Sequence, residues 1–184
     1  MSQLKLEAKQ LINILKFNLK DELKINQIAK KIKEFSKKKN SKFLVCGNGG
    51  SATDADHFVT ELVVRFKKKR KSLPAISLSS NPGLITACAN DFKFSYIFRR
   101  QLESLAKRED CIIFISTSGT SQNIIEAAKY AKRKKIFSIA LLGKNGGKSK
   151  NLCNLSYIVK SDSVAKIQEL HIFLLHYFCQ IIEN

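Results

Sequence analysis

From residue 42 onward, short apolar runs alternate with longer amphipathic stretches, and this alternation constrains the fold more than any other feature of the chain. The runs occupy residues 42–46, 74–78, 111–116, 136–142 and 155–159. Their apolar residues are consecutive rather than alternate, which reads as strands buried on both faces. Residues 51–66, 81–89, 92–105, 122–133 and 163–183 carry apolar residues at helical spacing, with Pro82 suited to the first turn of the second helix. Strand and helix in strict alternation predict an α/β chain, a doubly wound, mainly parallel five-stranded sheet covered on both faces.

Ahead of the first strand, Leu4, Leu11, Ile12, Leu15, Leu19, Leu23, Ile25, Ile28, Ile32 and Phe35 recur at helical spacing without Gly or Pro. Two helices meeting near residues 20–26 are expected, an N-terminal hairpin over residues 1–40 that covers the sheet or packs against another subunit. With 184 residues, 44% of them hydrophobic, the chain can fill one core, so 1–184 is read as a single domain whose α/β core spans 41–184. No apolar run approaches the roughly 20 residues that span a bilayer. The first nine residues lack the apolar centre of a secretory signal, so a cytoplasmic location is expected. Five scattered cysteines with no CxxC pair read as reduced core thiols.

The formal net charge of +18 first suggests nucleic acid or an anionic membrane. However, the lysines lie at helical-face spacings (Lys5, Lys9, Lys16, Lys20) and in turn-like runs (67–71, 132–135), with no nucleic-acid motif. They read as a solvated basic surface, with neither nucleic acid nor membrane as the expected partner. The same field would attract an anionic sugar phosphate.

Ligands of such a sheet bind beyond the carboxyl ends of its strands, and two of those loops stand out. In Gly47-Asn48-Gly49-Gly50-Ser51 the glycines allow close backbone approach to a ligand ahead of a helix N-terminus. It matches neither the dinucleotide fingerprint nor the P-loop. Ser116-Thr117-Ser118-Gly119-Thr120-Ser121 offers hydroxyls and backbone N–H groups that can hold a phosphate without a fixed cation, although Ser121 or Thr120 could simply cap the next helix. Two such loops in one sheet favour phosphate.

His57 and Glu61, four residues apart on one helix face, are able to reach one ion; a salt-linked surface pair is the plainer alternative. The closing helix supplies Gln168, His171 and His176. Gln168 and His176 share a stripe but stand about 12 Å apart along a straight helix, so geometry leaves the choice among these three open.

The segments CGNGGSATDADHF, LPAISL, AND, ISTSGTSQNI, LLGKNGGK and IQELH, in this order and spacing, resemble the sugar isomerase (SIS) domain, and specifically the phosphoheptose isomerases, from about residue 42 to the C-terminus. The resemblance implies a flavodoxin-like SIS fold and one zinc ion per subunit, on His57, Glu61, Gln168 and His176. It implies a homotetramer with active sites between subunits, and substrate contacts from Asn48, Gly49, Gly50, Glu61, Asn90, Asp91, Ser116, Thr117, Ser118, Ser121 and Gln168. Arg65 is a further candidate anion contact. The implied reaction converts sedoheptulose 7-phosphate to D-glycero-D-manno-heptose 7-phosphate through an enediol, the first step toward the heptose of bacterial surface polysaccharide. Glu61 is the expected base, His176 the expected acid and zinc the group that polarises the carbonyl.

Three positions depart from the family pattern: Asp56 stands where glutamine is common, Thr120 where asparagine follows STSG, and Ala165 where some members are acidic. Two rival readings share the fold: a non-catalytic SIS protein that binds a replication-initiator protein, and a module that senses a sugar phosphate. His176 and Ser118 weigh against the first, because those relatives lose the histidine and tend to carry arginine at the serine. The absence of a recognition helix weighs against the second.

Overall fold

A computed structural model describes residues 2–184. Helices α1 (Gln3–Asn18) and α2 (Glu22–Lys37) form the N-terminal hairpin and meet at a 3₁₀ turn, Leu19–Asp21. The chain then runs through β1 (Phe43–Gly47), α3 (Gly50–Val63), β2 (Ala75–Ser77), α4 (Pro82–Asp91), α5 (Ile97–Leu105), β3 (Cys111–Ser116), α6 (Gln122–Lys134), β4 (Phe137–Gly143), β5 (Leu155–Val159) and α7 (Val164–Glu183). All four strand pairings are parallel, in the order β2-β1-β3-β4-β5.

Successive side chains of a strand point to opposite faces, so each strand feeds two cores. Phe43, Val45, Ile113, Ile115, Ile139 and Leu141 pack under Ile28 and Ile32 of α2, Phe58 and Leu62 of α3, and Leu170, Leu174 and Phe178 of α7. Leu44, Ile112, Phe114, Ala140 and Leu142 face Phe98 and Leu102 of α5 and Ile124, Ala128 and Ala131 of α6. Burial on both sides explains why the sequence shows runs rather than alternation. Each fully buried side chain of this size contributes about 1.5–3 kcal/mol. Among the described residues no helix is long and apolar enough to cross a membrane.

Two expected elements are shorter than their patterns suggest. The helix expected over 51–66 ends at Val63, since Val64 leaves helical geometry and the Arg70 guanidinium takes the carbonyls of Glu61 and Leu62. The stretch 92–105 is not one helix: Lys93 is extended, a 3₁₀ turn follows at Phe94–Tyr96, and α5 begins only at Ile97. In α1 only Asn18 is buried. Its side-chain oxygen accepts from Lys160 N–H, and its carbonyl accepts from the Tyr157 hydroxyl, fastening the hairpin to the end of β5.

Candidate active site

The strand order reverses between β1 and β3, because the chain leaves β1 toward one face of the sheet and β3 toward the other. The crevice opened at such a switch point is where this architecture takes ligands. The loop after β1 and the loop after β3 flank it. Asn48 and Asn123 bridge them with reciprocal amide hydrogen bonds of 2.9 and 2.7 Å, and the Asn123 side-chain oxygen also accepts from Ile124 N–H.

The hydroxyl loop is held from behind. Gly119 has φ +65°, and its carbonyl accepts from both the backbone N–H and the hydroxyl of Ser149. A Cβ on Gly119 would strike the Gly146 carbonyl, and one on Gly147 would strike Gly119, so the two glycine turns pack backbone to backbone. The Ser118 hydroxyl oxygen accepts from the N–H and hydroxyl of Thr120, leaving its own proton free to donate. Ser116 is buried and accepts from Gly119 N–H. Ser121 occupies the N-cap of α6 without using its side chain as a cap, so its hydroxyl is not committed to the helix. Thr117 lies half-buried between them.

A second cluster lies farther along the helices. His57 Nε2 is 3.5 Å from Glu61 Oε1 and 2.8 Å from His176 Nε2. At that separation the Nε2–H of one imidazole donates to the bare Nε2 of the other, since two facing lone pairs would repel. Among the described residues no three His, Cys, Asp or Glu side chains form a ready metal cage. In kind, two imidazoles and a carboxylate with a solvent-open side are a zinc donor set, so the residues fit the ion. Burial, then the charge of His57, lowers the His176 pKa, and Glu61 opposes the shift.

Gln168 does not join these three within the protomer. Its amide packs against Gly50 at the start of α3, while His57 stands about 10 Å farther along α3 and His176 about 12 Å farther along an unbroken α7. The two helices run side by side, so the glycine-loop end and the histidine end of one protomer are separate. Asn90 and Asp91 lie exposed at the far end of α4, bonded to each other. His171 is fully buried and hydrogen-bonds to the Leu142 carbonyl at 3.0 Å, with Nδ1 unpartnered; burial lowers its pKa to about 4. Asp54, whose Oδ2 is buried without a partner, has its pKa raised to about 6 by burial against the opposing charge of His57. Asp56 Oδ1 is likewise buried without a partner.

Sequence reasoning missed the residues around His176. Phe66 stacks on its ring, with centroids 5.4 Å apart and planes 21° apart. The Glu183 carboxylate, two turns beyond His176, accepts from the N–H groups of Phe66, Lys67 and Lys68 at 2.9–3.0 Å and from Arg70 Nε at 3.2 Å. Burial pushes the Glu183 pKa up, but the three N–H groups and Arg70 outweigh it and hold it low. Only the i, i+7 spacing of His176 and Glu183 hinted at this; the loop partner lies more than 110 residues away. Arg65, off the end of α3, is exposed.

Comparison with known proteins follows the same lines. A family model described as "SIS domain" matches residues 8–143. The phosphoheptose isomerase 1 of Campylobacter jejuni is 47% identical over 147 residues, 80% of this chain and 79% of that one. The structure of phosphoheptose isomerase from Neisseria gonorrhoeae superposes with a TM-score of 0.91 at 32% identity, covering 98% of this chain and 97% of that one. A phosphoheptose isomerase from Francisella tularensis gives 0.88 at 34%, covering 99% and 98%.

Proposed function

We propose, from the premise that this chain belongs to the SIS-domain family and within it to the phosphoheptose isomerases, that it interconverts sedoheptulose 7-phosphate and D-glycero-D-manno-heptose 7-phosphate. The observation that carries the reading is the convergence of Glu61, His57 and His176 from two helices, beside a sheet whose switch-point loops are built to hold an anion.

Aldose–ketose exchange through an enediol needs a base at the carbon beside the carbonyl and an acid at the oxygen. Glu61 takes the proton from C1 of the ketose and returns one to C2. His176 donates to the C2 oxygen and accepts the proton of the C1 hydroxyl, so the atoms balance and no redox partner is needed. Ser116, Thr117, Ser118 and Ser121 hold the phosphate by hydroxyl and N–H donation, and Asn48, Gly49 and Gly50 bind the sugar across the crevice. His57, Glu61 and His176, with Gln168, would hold zinc, which supplies Lewis-acid polarisation of the carbonyl.

Within one protomer the Gln168 end and the histidine end stand about 10 Å or more apart along α3 and α7. This supports a homotetramer in which a second copy completes each site and brings Asn90 and Asp91 to it. We place the enzyme in the cytoplasm, at the first step of heptose supply for surface polysaccharide.

The test is turnover of sedoheptulose 7-phosphate by metal-stripped and zinc-restored protein, beside Glu61→Gln and His176→Ala. Zinc-dependent formation of the aldose phosphate, abolished in both variants, is the expected result. A folded protein that binds the sugar phosphate but does not turn it over at any zinc level would overturn the proposal in favour of a non-catalytic SIS protein.

A further inference from the structure

The loop between α3 and β2 has no secondary structure of its own over residues 65–70, yet it carries Phe66, whose ring stacks on His176. Phe66 packs against the core, but the backbone on either side of it is fixed by polar contacts. Three consecutive N–H groups, those of Phe66, Lys67 and Lys68, point at a single carboxylate, Glu183, whose side chain is only 3% exposed. Successive N–H groups converging on an anion form a compact nest, and here the anion is supplied by the last residue of α7. Arg70 closes the arrangement. Its Nε donates to Glu183, while Nη1 and Nη2 donate to the carbonyls of Leu62 and Glu61 at the end of α3.

One ion pair therefore touches the backbone of Glu61 at one end and, at the other, the segment that lays Phe66 on His176. We infer that Arg70 and Glu183 are positioning residues of the isomerase: together they hold the base and the acid in register by tying the end of α3 and the Phe66 loop to the end of α7. The inference rests on the function proposed above for Glu61 and His176.

The geometry excludes a looser reading in which the pair is only a surface salt bridge. Exposed pairs contribute little and constrain little. This pair is mostly buried, with side chains 16% and 3% exposed, and six of its seven hydrogen bonds go to the ion-pair partner or to the backbone at 61–62 and 66–68. A catalytic group displaced by about 1 Å loses on the order of a hundredfold in rate, so a modest slackening is measurable.

The experiment uses the full-length protein with Glu183→Gln, Arg70→Lys and Phe66→Leu. Glu183→Gln keeps shape but turns one oxygen into a donor facing donors; Phe66→Leu removes the ring and leaves the clamp intact. In each, kcat is expected to fall about tenfold or more while KM for the sugar phosphate stays within about twofold, because the phosphate loops are untouched. The second readout is independent of turnover. The chain has three histidines, so the ring protons of His176 can be assigned by NMR. Shielding by Phe66 is lost when the ring is removed, and it should be lost in the same, downfield direction in Glu183→Gln.

Folded Glu183→Gln and Arg70→Lys proteins with wild-type kcat overturn the inference. So does a His176 resonance that moves in Phe66→Leu but stays in place in Glu183→Gln. If Glu183→Gln does not fold, Arg70→Lys and Phe66→Leu decide by the same two readouts. If the wild-type protein shows no isomerase activity, the proposed function fails by itself, and the NMR comparison still decides whether the clamp positions His176.

Discussion

Protonation of buried His171 and of half-buried Asp54 couples to stability, in opposite directions. Burial lowers the His171 pKa from 6.5 to about 4. The unfolded chain therefore binds the proton first as pH falls, and the contribution of neutral His171 is complete above pH 6.5 and lost between 6.5 and 4. Between pH 7.5 and 5 this removes about 2 kcal/mol. Asp54, raised from 3.8 to about 6, is protonated more readily in the folded state, so it makes folding less favourable as pH rises through the same window. The wild-type profile is thus flattened. Denaturant unfolding of His171→Leu across pH 5–7.5 should show less loss of stability toward acid than the wild type, by about that amount. An identical slope in both proteins would mean that His171 titrates normally. At the crevice, Asn123→Ala breaks the amide bridge to Asn48 and leaves that side chain unanchored. KM for the sugar phosphate should rise several-fold with little change in kcat in steady-state assays, because the histidine cluster is not touched.

Among the elements, the hydroxyl loop depends on a backbone conformation that only glycine adopts readily. Gly119→Ala would place a methyl group at φ +65° against the Gly146 carbonyl, so a cost of about 2–4 kcal/mol is expected in equilibrium unfolding. The retained fold should bind sugar phosphate poorly. The N-terminal hairpin makes a different demand. Its α2 packs on the sheet through Ile25, Ile28 and Ile32, but α1 leaves Leu4 79%, Ile12 49% and Phe17 53% exposed. Apolar side chains left in water along one helix fit a surface covered by another copy. Ile12→Lys with Phe17→Lys should lower the mass measured by light scattering from that of the proposed tetramer and reduce turnover with it, while circular dichroism stays that of the folded α/β core. A tetramer that survives both charges would place the interface elsewhere.

At the scale of the molecule, an excess of 33 basic over 15 acidic residues surrounds a site that is proposed to receive a phosphorylated sugar. Long-range attraction raises encounter rates and is screened by salt. Therefore kcat/KM should decline as ionic strength rises from about 0.01 to 0.2 M, with kcat nearly constant; a parallel fall in both would point to salt acting on the fold.

How much of this was legible beforehand follows from sequence distance. The five strands, most of the helices between them, the two ligand loops and the His57–Glu61 pair are local patterns. Residues a few positions apart determine them through the strand and helix periods, and the chain alone specified them. The strand order pairs residues 16 to 68 positions apart, and the bridge from Asn48 to Asn123, the meeting of His57 with His176, and the capture of the Phe66 loop by Glu183 join residues 75 to 119 positions apart. No periodicity encodes such pairings. The last two arise only when α3 and α7 are laid side by side on one face of the sheet, which is why the tertiary structure, and not the sequence pattern, decided which histidine faces His57 and left Gln168 at the other end of the helix pair.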